Sequence, residues 1–232
     1  MSLIRAVLSF RASLALLLTT ALLALSGQSA AAAAPAPATV LITLTASRTV
    51  LPLGAASKLT VTTSPVLHTG ILEIFEPQTG AWLNSCFPDV ACSINVTRST
   101  PAVVVYQAFW TSQDNHDINQ INILGSSNQV RVAWGTVSLG APSASPVPVG
   151  TDVTLTATTS FDVGPTPDFI KLFDVTANAY VTPKCPFGTT CTWHVSQAAA
   201  GTHLYIALVA PVTDGIPPVF DFRSNSQSVQ WT

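Results

Sequence analysis

Charge is scarce in this chain: Asp, Glu, Lys and Arg make up 9% of its 232 residues, against roughly a quarter in ordinary soluble domains. With nine Lys and Arg against eleven Asp and Glu, there is no basic cluster to track a phosphate backbone, which excludes nucleic acid as a partner. Catalytic signatures are missing as well. No Gly-x-Ser-x-Gly elbow, glycine-rich phosphate loop or His-Glu-x-x-His helix occurs, and His68, His116, His194 and His203 are scattered along the chain. Glu73 and Glu76 stand three apart on one predicted strand and so point to opposite faces, which denies them a joint role as a carboxylate pair. Neither an enzymatic activity nor a cofactor is expected. Disorder is excluded too, because 48% of the residues are hydrophobic and chains that stay unfolded are poor in them. Thr, Ser, Asn and Gln are left to cover the surface.

Long apolar runs are confined to the start. Arg5 and Arg11 precede a nearly unbroken apolar stretch from Leu14 to Leu25, followed by Ser26-Gly-Gln-Ser29 and an alanine tract from Ala30 to Ala34. A basic start, about a dozen apolar residues and a small-residue exit are the features of a secretory signal peptide over residues 1–33, with cleavage expected after Ala32 or Ala33. The run falls short of the roughly 18 to 20 residues of a spanning helix, so the mature chain is expected to carry no membrane span. No cysteine precedes Cys86, which excludes a lipid-bearing cysteine at the cleavage site. Without Arg5 and Arg11 the nine Lys and Arg become seven against eleven acids, a net charge of about −4. The expected location is secreted, in the extracellular space.

Beyond the alanine tract the sequence repeats itself. Gly54-Ala-Ala-Ser-Lys-Leu-Thr-Val-Thr-Thr-Ser64 recurs as Gly150-Thr-Asp-Val-Thr-Leu-Thr-Ala-Thr-Thr-Ser160, and Ile71-Leu-Glu-Ile-Phe-Glu76 recurs as Phe169-Ile-Lys-Leu-Phe-Asp174. Cys86 and Cys92 return as Cys185 and Cys191, Tyr106-Gln-Ala108 as Tyr205-Ile-Ala207, and Ser127-Asn128 with Trp134 as Ser224-Asn225 with Trp231. Five landmarks in one order, at nearly constant offset, define two modules, 39–134 and 135–232. Trp134 ends one and Gly135-Thr-Val137 begins the next, which leaves no room for a flexible tether.

Within each module the hydrophobic period is two. Val40-Leu-Ile-Thr-Leu-Thr-Ala46, Lys58-Leu-Thr-Val-Thr-Thr63 and Val153-Thr-Leu-Thr-Ala-Thr158 alternate apolar residues with Thr, as half-buried strands do. Ala102 to Trp110 and His203 to Val209 are more continuously apolar, and turn formers such as Pro52 with Gly54 and Pro148 with Gly150 punctuate the strands. Seven or so short strands in about 95 residues predict an all-β fold of two tandem immunoglobulin-like β-sandwiches.

The order of the Leu-Thr strand, the Leu/Ile-Phe-Glu/Asp strand, a cysteine hairpin, Tyr-x-Ala and Ser-Asn-to-Trp resembles bacterial immunoglobulin-like modules, such as those repeated in exported actinobacterial proteins. On this resemblance Tyr106 and Tyr205 lie in the sixth strand as tyrosine corners, with hydroxyls bonding back to the main chain. Ala108 and Ala207 stand where the antibody pattern has its second inter-sheet cysteine. Phe75 and Phe173 stand on the strand that should carry the core Trp. Antibody-like function is therefore not implied.

Several residues remain as candidates. Both cysteine pairs have Cys-x5-Cys spacing at the same place in each repeat, so local disulfides Cys86–Cys92 and Cys185–Cys191 are expected, with Pro88 and Asp89, or Pro186 and Gly188, easing a tight reversal. Zinc would need closer spacing. The polar run from Thr111 to Gln120 holds Asp114, Asn115, His116 and Asp117, whose donors suit calcium or another metal. It lacks a calcium-loop spacing and a supporting glycine, so a solvated loop is preferred and no metal site is assigned. Loops at sandwich ends are where binding usually resides, which singles out 111–125 and 212–223, with Asp114, His116, Asp117 and Asp214 as possible contact residues. Trp82, Trp110 and Trp193 would stack on sugars if exposed, Trp82 and Trp110 being the preferred pair; burial in the sandwich is the plainer expectation. Asn95-Val-Thr97 matches a glycosylation acceptor. The expected function is a non-enzymatic extracellular interaction or structural protein, with a carbohydrate- or cell-envelope-binding protein as the alternative. The partner is an unidentified extracellular protein or glycan.

Overall fold

The computed structural model describes residues 39–87 and 92–232. The expected signal peptide and the Pro88-Asp89 turn lie outside them. The described residues are all-β and form two immunoglobulin-like sandwiches.

In the first sandwich, β1 (Leu41–Ala46), β3 (Ser57–Ser64) and β6 (Cys92–Val96) make one sheet in the order β1-β3-β6. The other sheet contains β2 (Val50–Pro52), β4 (Ile71–Glu76), β5 (Ala81–Cys86), β7 (Ala102–Thr111) and β8 (Ile123–Gly135), in the order β2-β8-β7-β4-β5. The second sandwich repeats this plan. β9 (Val137–Leu139), β10 (Val153–Thr159) and β13 (Thr190–Val195) form the smaller sheet, and β11 (Asp168–Asp174), β12 (Ala179–Cys185), β14 (Gly201–Pro211) and β15 (Phe222–Trp231) the larger, ordered β12-β11-β14-β15. The short parallel pairing of β2 with β8 is reduced in the second sandwich to one bridge, Val147 to Trp231.

Strand alternation decides what is inside. Leu59 and Val61 on β3, and Val153, Leu155 and Ala157 on β10, are buried between the sheets while the intervening Thr residues face outward. On β4 and β11 the inward residues are Leu72 and Ile74, and Ile170 and Leu172. Phe75 and Phe173, one residue out of phase, therefore cannot occupy the core-Trp position. Phe173 packs on the outer face with Ile206, Leu208, Ala210 and Tyr180, and Phe75 meets Phe109 edge-on. The bulk comes instead from Trp134 and Trp231 on the last strands, both fully buried, whose indole N–H groups donate to Ala55 O (2.8 Å) and Thr151 O (3.1 Å).

The repeated Ser-Asn pair has a framework role that the sequence pattern did not disclose. Asn128 accepts from Leu44 N and donates to Leu44 O, both at 3.0 Å, and Asn225 does the same to Leu139 at 3.0 and 2.9 Å. One amide side chain thereby supplies a donor and an acceptor to a strand of the opposite sheet. The preceding Ser127 and Ser224 hydroxyls accept from Ala108 N and Ala207 N, each at 2.9 Å, where the ladder is interrupted by a bulge. The paired turn glycines Gly54 and Gly150 have φ of +78° and +80°, a region that side chains make costly.

Two expectations need correction. The cysteines do not close a hairpin. Cys86 bonds to Cys92 and Cys185 to Cys191, with Cα atoms 5.5 and 5.8 Å apart, but β5 pairs with β4 in the large sheet while β6 pairs with β3 in the small one. Each bridge therefore ties the two sheets together where the chain crosses between them, and Cys92 and Cys191 are buried. Nor do the tyrosines bond back to the main chain. Tyr205 OH accepts from the Gln197 side chain at 3.4 Å, and the buried Tyr106 OH has no partner among the described residues. Burial pushes both phenols up to about 12.

The sandwiches meet through side chains of both. Val50 and Ala133 belong to the apolar cluster of the second sandwich, and Arg131 donates to Asp162 O at 3.0 Å.

Candidate functional site

The loops 112–122 and 212–221 both fold back over the outer face of the large sheet, and the same strand position lies beneath each. Period two places Glu73 of β4 and Lys171 of β11 outward, yet both are 0% exposed because the loops cover them. They are repeat equivalents of opposite charge.

In the second sandwich the buried charge is matched. Lys171 Nζ donates to Pro211 O, to Thr213 O at 2.9 Å and to Asp214 Oδ1 at 3.0 Å, and lies 5.3 Å over the Tyr180 ring. Lys184 bonds the other oxygen of Asp214. Held between two ammonium groups, with the bond from Lys184 dominant, the Asp214 carboxyl lies below its ordinary pKa. Asp214, expected as a binding-loop residue, is thus engaged inside its own module.

In the first sandwich the arrangement is inverted. Glu73 Oε1 accepts from Asn115 N at 3.3 Å, and Oε2 has no donor among the described residues. Asp114 occupies the third position after β7, as Asp214 does after β14. Asp114 and His116 bring their ligating atoms to Glu73, all within 4.8 Å of one another, and His116 Nε2 is 3.3 Å from Asp114 Oδ1. Burial first, and the Asp114 charge behind it, push the Glu73 carboxyl above its ordinary pKa. The exposed members are oriented by neighbours. Trp82 stacks on the His116 ring at 3.8 Å and 21°, its indole N–H donates to Ser85 Oγ at 3.0 Å, and Ser85 Oγ donates to Asp114 Oδ1 at 2.7 Å.

Of the expected contact residues, Asp114 and His116 come together and Asp117 does not join them. Its carboxylate accepts from Asn119 N (3.0 Å) and from the Gln120 amide (2.8 Å), forming the next turn of the loop. Glu73, which strand geometry separates from Glu76, is the member that sequence reasoning missed. Its place beneath the loop was legible only in the repeat, where an acid in one copy aligns with a lysine in the other. Trp82, 37% exposed, has one face covered by His116. Trp110 donates to Thr69 O at 2.9 Å, and Trp193 is fully buried with its N–H on Pro183 O at 2.6 Å, which removes it as a stacking platform. Asn95 is exposed on β6.

A second charged cluster lies where the sandwiches meet. Arg48 bonds Asp221 Oδ1 at 2.8 Å and Asp221 O at 3.2 Å, beside Asp168 at the start of β11. Asp168 is 4% exposed because it shares the inward phase of Ile170 and Leu172. Burial, reinforced by the neighbouring Asp221, pushes its carboxyl up to about 7.

No protein-family model matches the chain, and no curated protein matches it in sequence. Among solved structures it is similar to the human OSCAR ligand-binding domain, at 16% identity and a TM-score of 0.41, covering 80% of this chain and 96% of that one. It is also similar to the D00-D0 domain of intimin, at 12% identity and a TM-score of 0.31, covering 83% of this chain and 100% of that one. A biofilm-associated protein's BSP domain is 13% identical with a TM-score of 0.26, covering 83% of this chain and 30% of that one. The fold assignment rests on the strand order itself, and nothing about function is carried over from these chains. Two disulfides point to an extracellular or surface location, and no helix among the described residues is long and apolar enough to cross a membrane.

Proposed function

We propose that this chain is a secreted, non-enzymatic interaction protein. Its two immunoglobulin-like modules divide near Trp134, and the loop 112–122 of the first, with the adjoining β4–β5 hairpin, forms the contact face toward an extracellular protein. The likeness to modules of exported actinobacterial proteins belongs to the same reading. One observation carries it: the residues shared by the two repeats serve the framework, whereas the loops over Glu73 and Lys171 differ in charge and in partners. In the second module the loop is tied down by Lys171 and Lys184. In the first, Asp114 and His116 stand half exposed, available to something outside the chain. The sugar-binding alternative is less well supported at Trp82, because the His116 ring covers one of its two stacking faces.

The test is capture from the producing organism's culture fluid on immobilised mature protein, beside a variant in which residues 112–122 are replaced by the loop 212–221. A partner held by the wild type and lost by the folded variant supports the reading. Identical capture profiles refute it. Retention on polysaccharide resins that depends on Trp82 would transfer the function to glycans.

A further inference from the structure

We propose that Glu73, Asp114 and His116 form a binding site for a divalent first-row metal ion, of which Zn2+ is the type. The donor set is two carboxylates and one imidazole, the mixture that suits an ion of borderline softness rather than calcium. Bonds of about 2.0–2.2 Å to a four-coordinate ion place donors about 3.4 Å apart. The His116 Nε2 to Asp114 Oδ1 separation is already 3.3 Å, and all three ligating atoms lie within 4.8 Å of one another. Small side-chain movements complete the geometry.

Three acidic or imidazole groups near one another are common on protein surfaces, and two further observations set this cluster apart. First, Glu73 is 0% exposed and its Oε2 has no donor among the described residues. A buried acceptor without a donor is costly, by about 1–3 kcal/mol and more if charged; Asn115 N–H reaches Oε1 and the Thr111 hydroxyl donates to the Ile71 and Gln113 carbonyls, whereas a cation held by the cluster would satisfy Oε2. Second, the repeat provides an internal comparison. At the equivalent position of the second module the chain places its own cation: Lys171 Nζ lies among Pro211 O, Thr213 O and the Asp214 carboxylate. The first module keeps the loop aspartate, exchanges the lysine for a glutamate and adds a histidine. The positive charge at this point of the fold is intrinsic in one module and is to be supplied from outside in the other.

The surrounding contacts fit a ligand set held in place. Ser85 fixes the Asp114 carboxylate and Trp82 packs the His116 ring, the kind of support that orients metal ligands and governs affinity. Asp114 and His116 are half exposed, so remaining coordination positions open to solvent. The site shares its loop with the contact face proposed above but does not depend on it, since ion uptake is read without any partner.

The experiment is equilibrium dialysis of the intact mature protein, freed of metal with chelator, against Zn2+, with Co2+ as an optical probe of coordination. One ion per chain is expected, with visible Co2+ absorption and a rise in Tm on addition of Zn2+. Glu73→Gln, Asp114→Asn and His116→Ala are each expected to weaken binding at least tenfold, while Asp117→Asn and Asp214→Asn leave it unchanged. Asp114 and His116 are exposed, so their variants report even if the Glu73 variant folds poorly. Absence of stoichiometric uptake by the wild type overturns the proposal. So does uptake that survives substitution of both Asp114 and His116, which would place the ion on other histidines.

Discussion

Asp168 offers a quantitative test of how the second sandwich is held at its meeting point with the first. Its carboxyl is buried, faces Asp221, and is pushed up to about 7 against an ordinary value of 3.8, with Arg48 and Lys171 opposing the shift. The folded state therefore binds this proton more tightly than the unfolded chain does. That contribution to stability is complete below pH 3.8 and is lost as pH rises through 7. For a single carboxyl the slope reaches about 1.4 kcal/mol per pH unit between these values, a total of about 4 kcal/mol at most. Urea unfolding of the mature protein from pH 4.5 to 8 should show stability falling with pH over this range. Asp168→Asn keeps the shape of the side chain and removes its titration. The variant should lose most of the slope and be more stable than the wild type at pH 8 by about 2–4 kcal/mol. Arg48→Met should extend the fall in stability to higher pH without steepening it, because it removes a cation that favours the ionised form. If Asp168→Asn leaves the slope unchanged, the buried carboxyl is not the group that titrates, and another residue must account for the pH dependence.

Other consequences can be checked with the same unfolding assay. Replacing Cys86 and Cys92 together by Ser removes a seven-residue ring closure and should lower stability by about 2–2.5 kcal/mol; non-reducing peptide mapping of the wild type should show no peptide joining the two modules. Asn128→Asp retains the acceptor for Leu44 N but sets an oxygen against Leu44 O, so it should destabilise by about 1–3 kcal/mol, as should Asn225→Asp at Leu139. Lys171→Met strips two carbonyls and Asp214 of their buried donor. It should cost about 3 kcal/mol and make the 212–221 loop susceptible to protease, whereas an unaltered proteolysis pattern would show that the loop is held by other contacts.

Period-two alternation, the cysteine spacing and the five repeated landmarks were sufficient to read an all-β chain of two sandwiches, because burial on one face of a strand imposes a pattern that survives in sequence. The same alternation, applied one residue further, separates Phe75 and Phe173 from the core, a distinction blurred by a strand buried on both faces. The cysteine crossover was not legible, since seven residues can join neighbouring strands or opposite sheets and only strand pairing decides between them. The Ser-Asn motif announced itself as repeated without revealing that its partners lie 84 and 86 residues away.

The candidate site divides along the same line. Local sequence determined that Asp114 and His116 share one polar loop, and the repeat determined that Glu73 and Lys171 are counterparts. Only the tertiary structure decided that the loop folds back over that strand position and buries a carboxylate against them. It also decided that Asp214 is held by lysines and that Asp168 meets Asp221 beside Arg48. The physical reason is that burial and charge partnership are properties of loop closure and sheet packing, which bring together residues that no local pattern links.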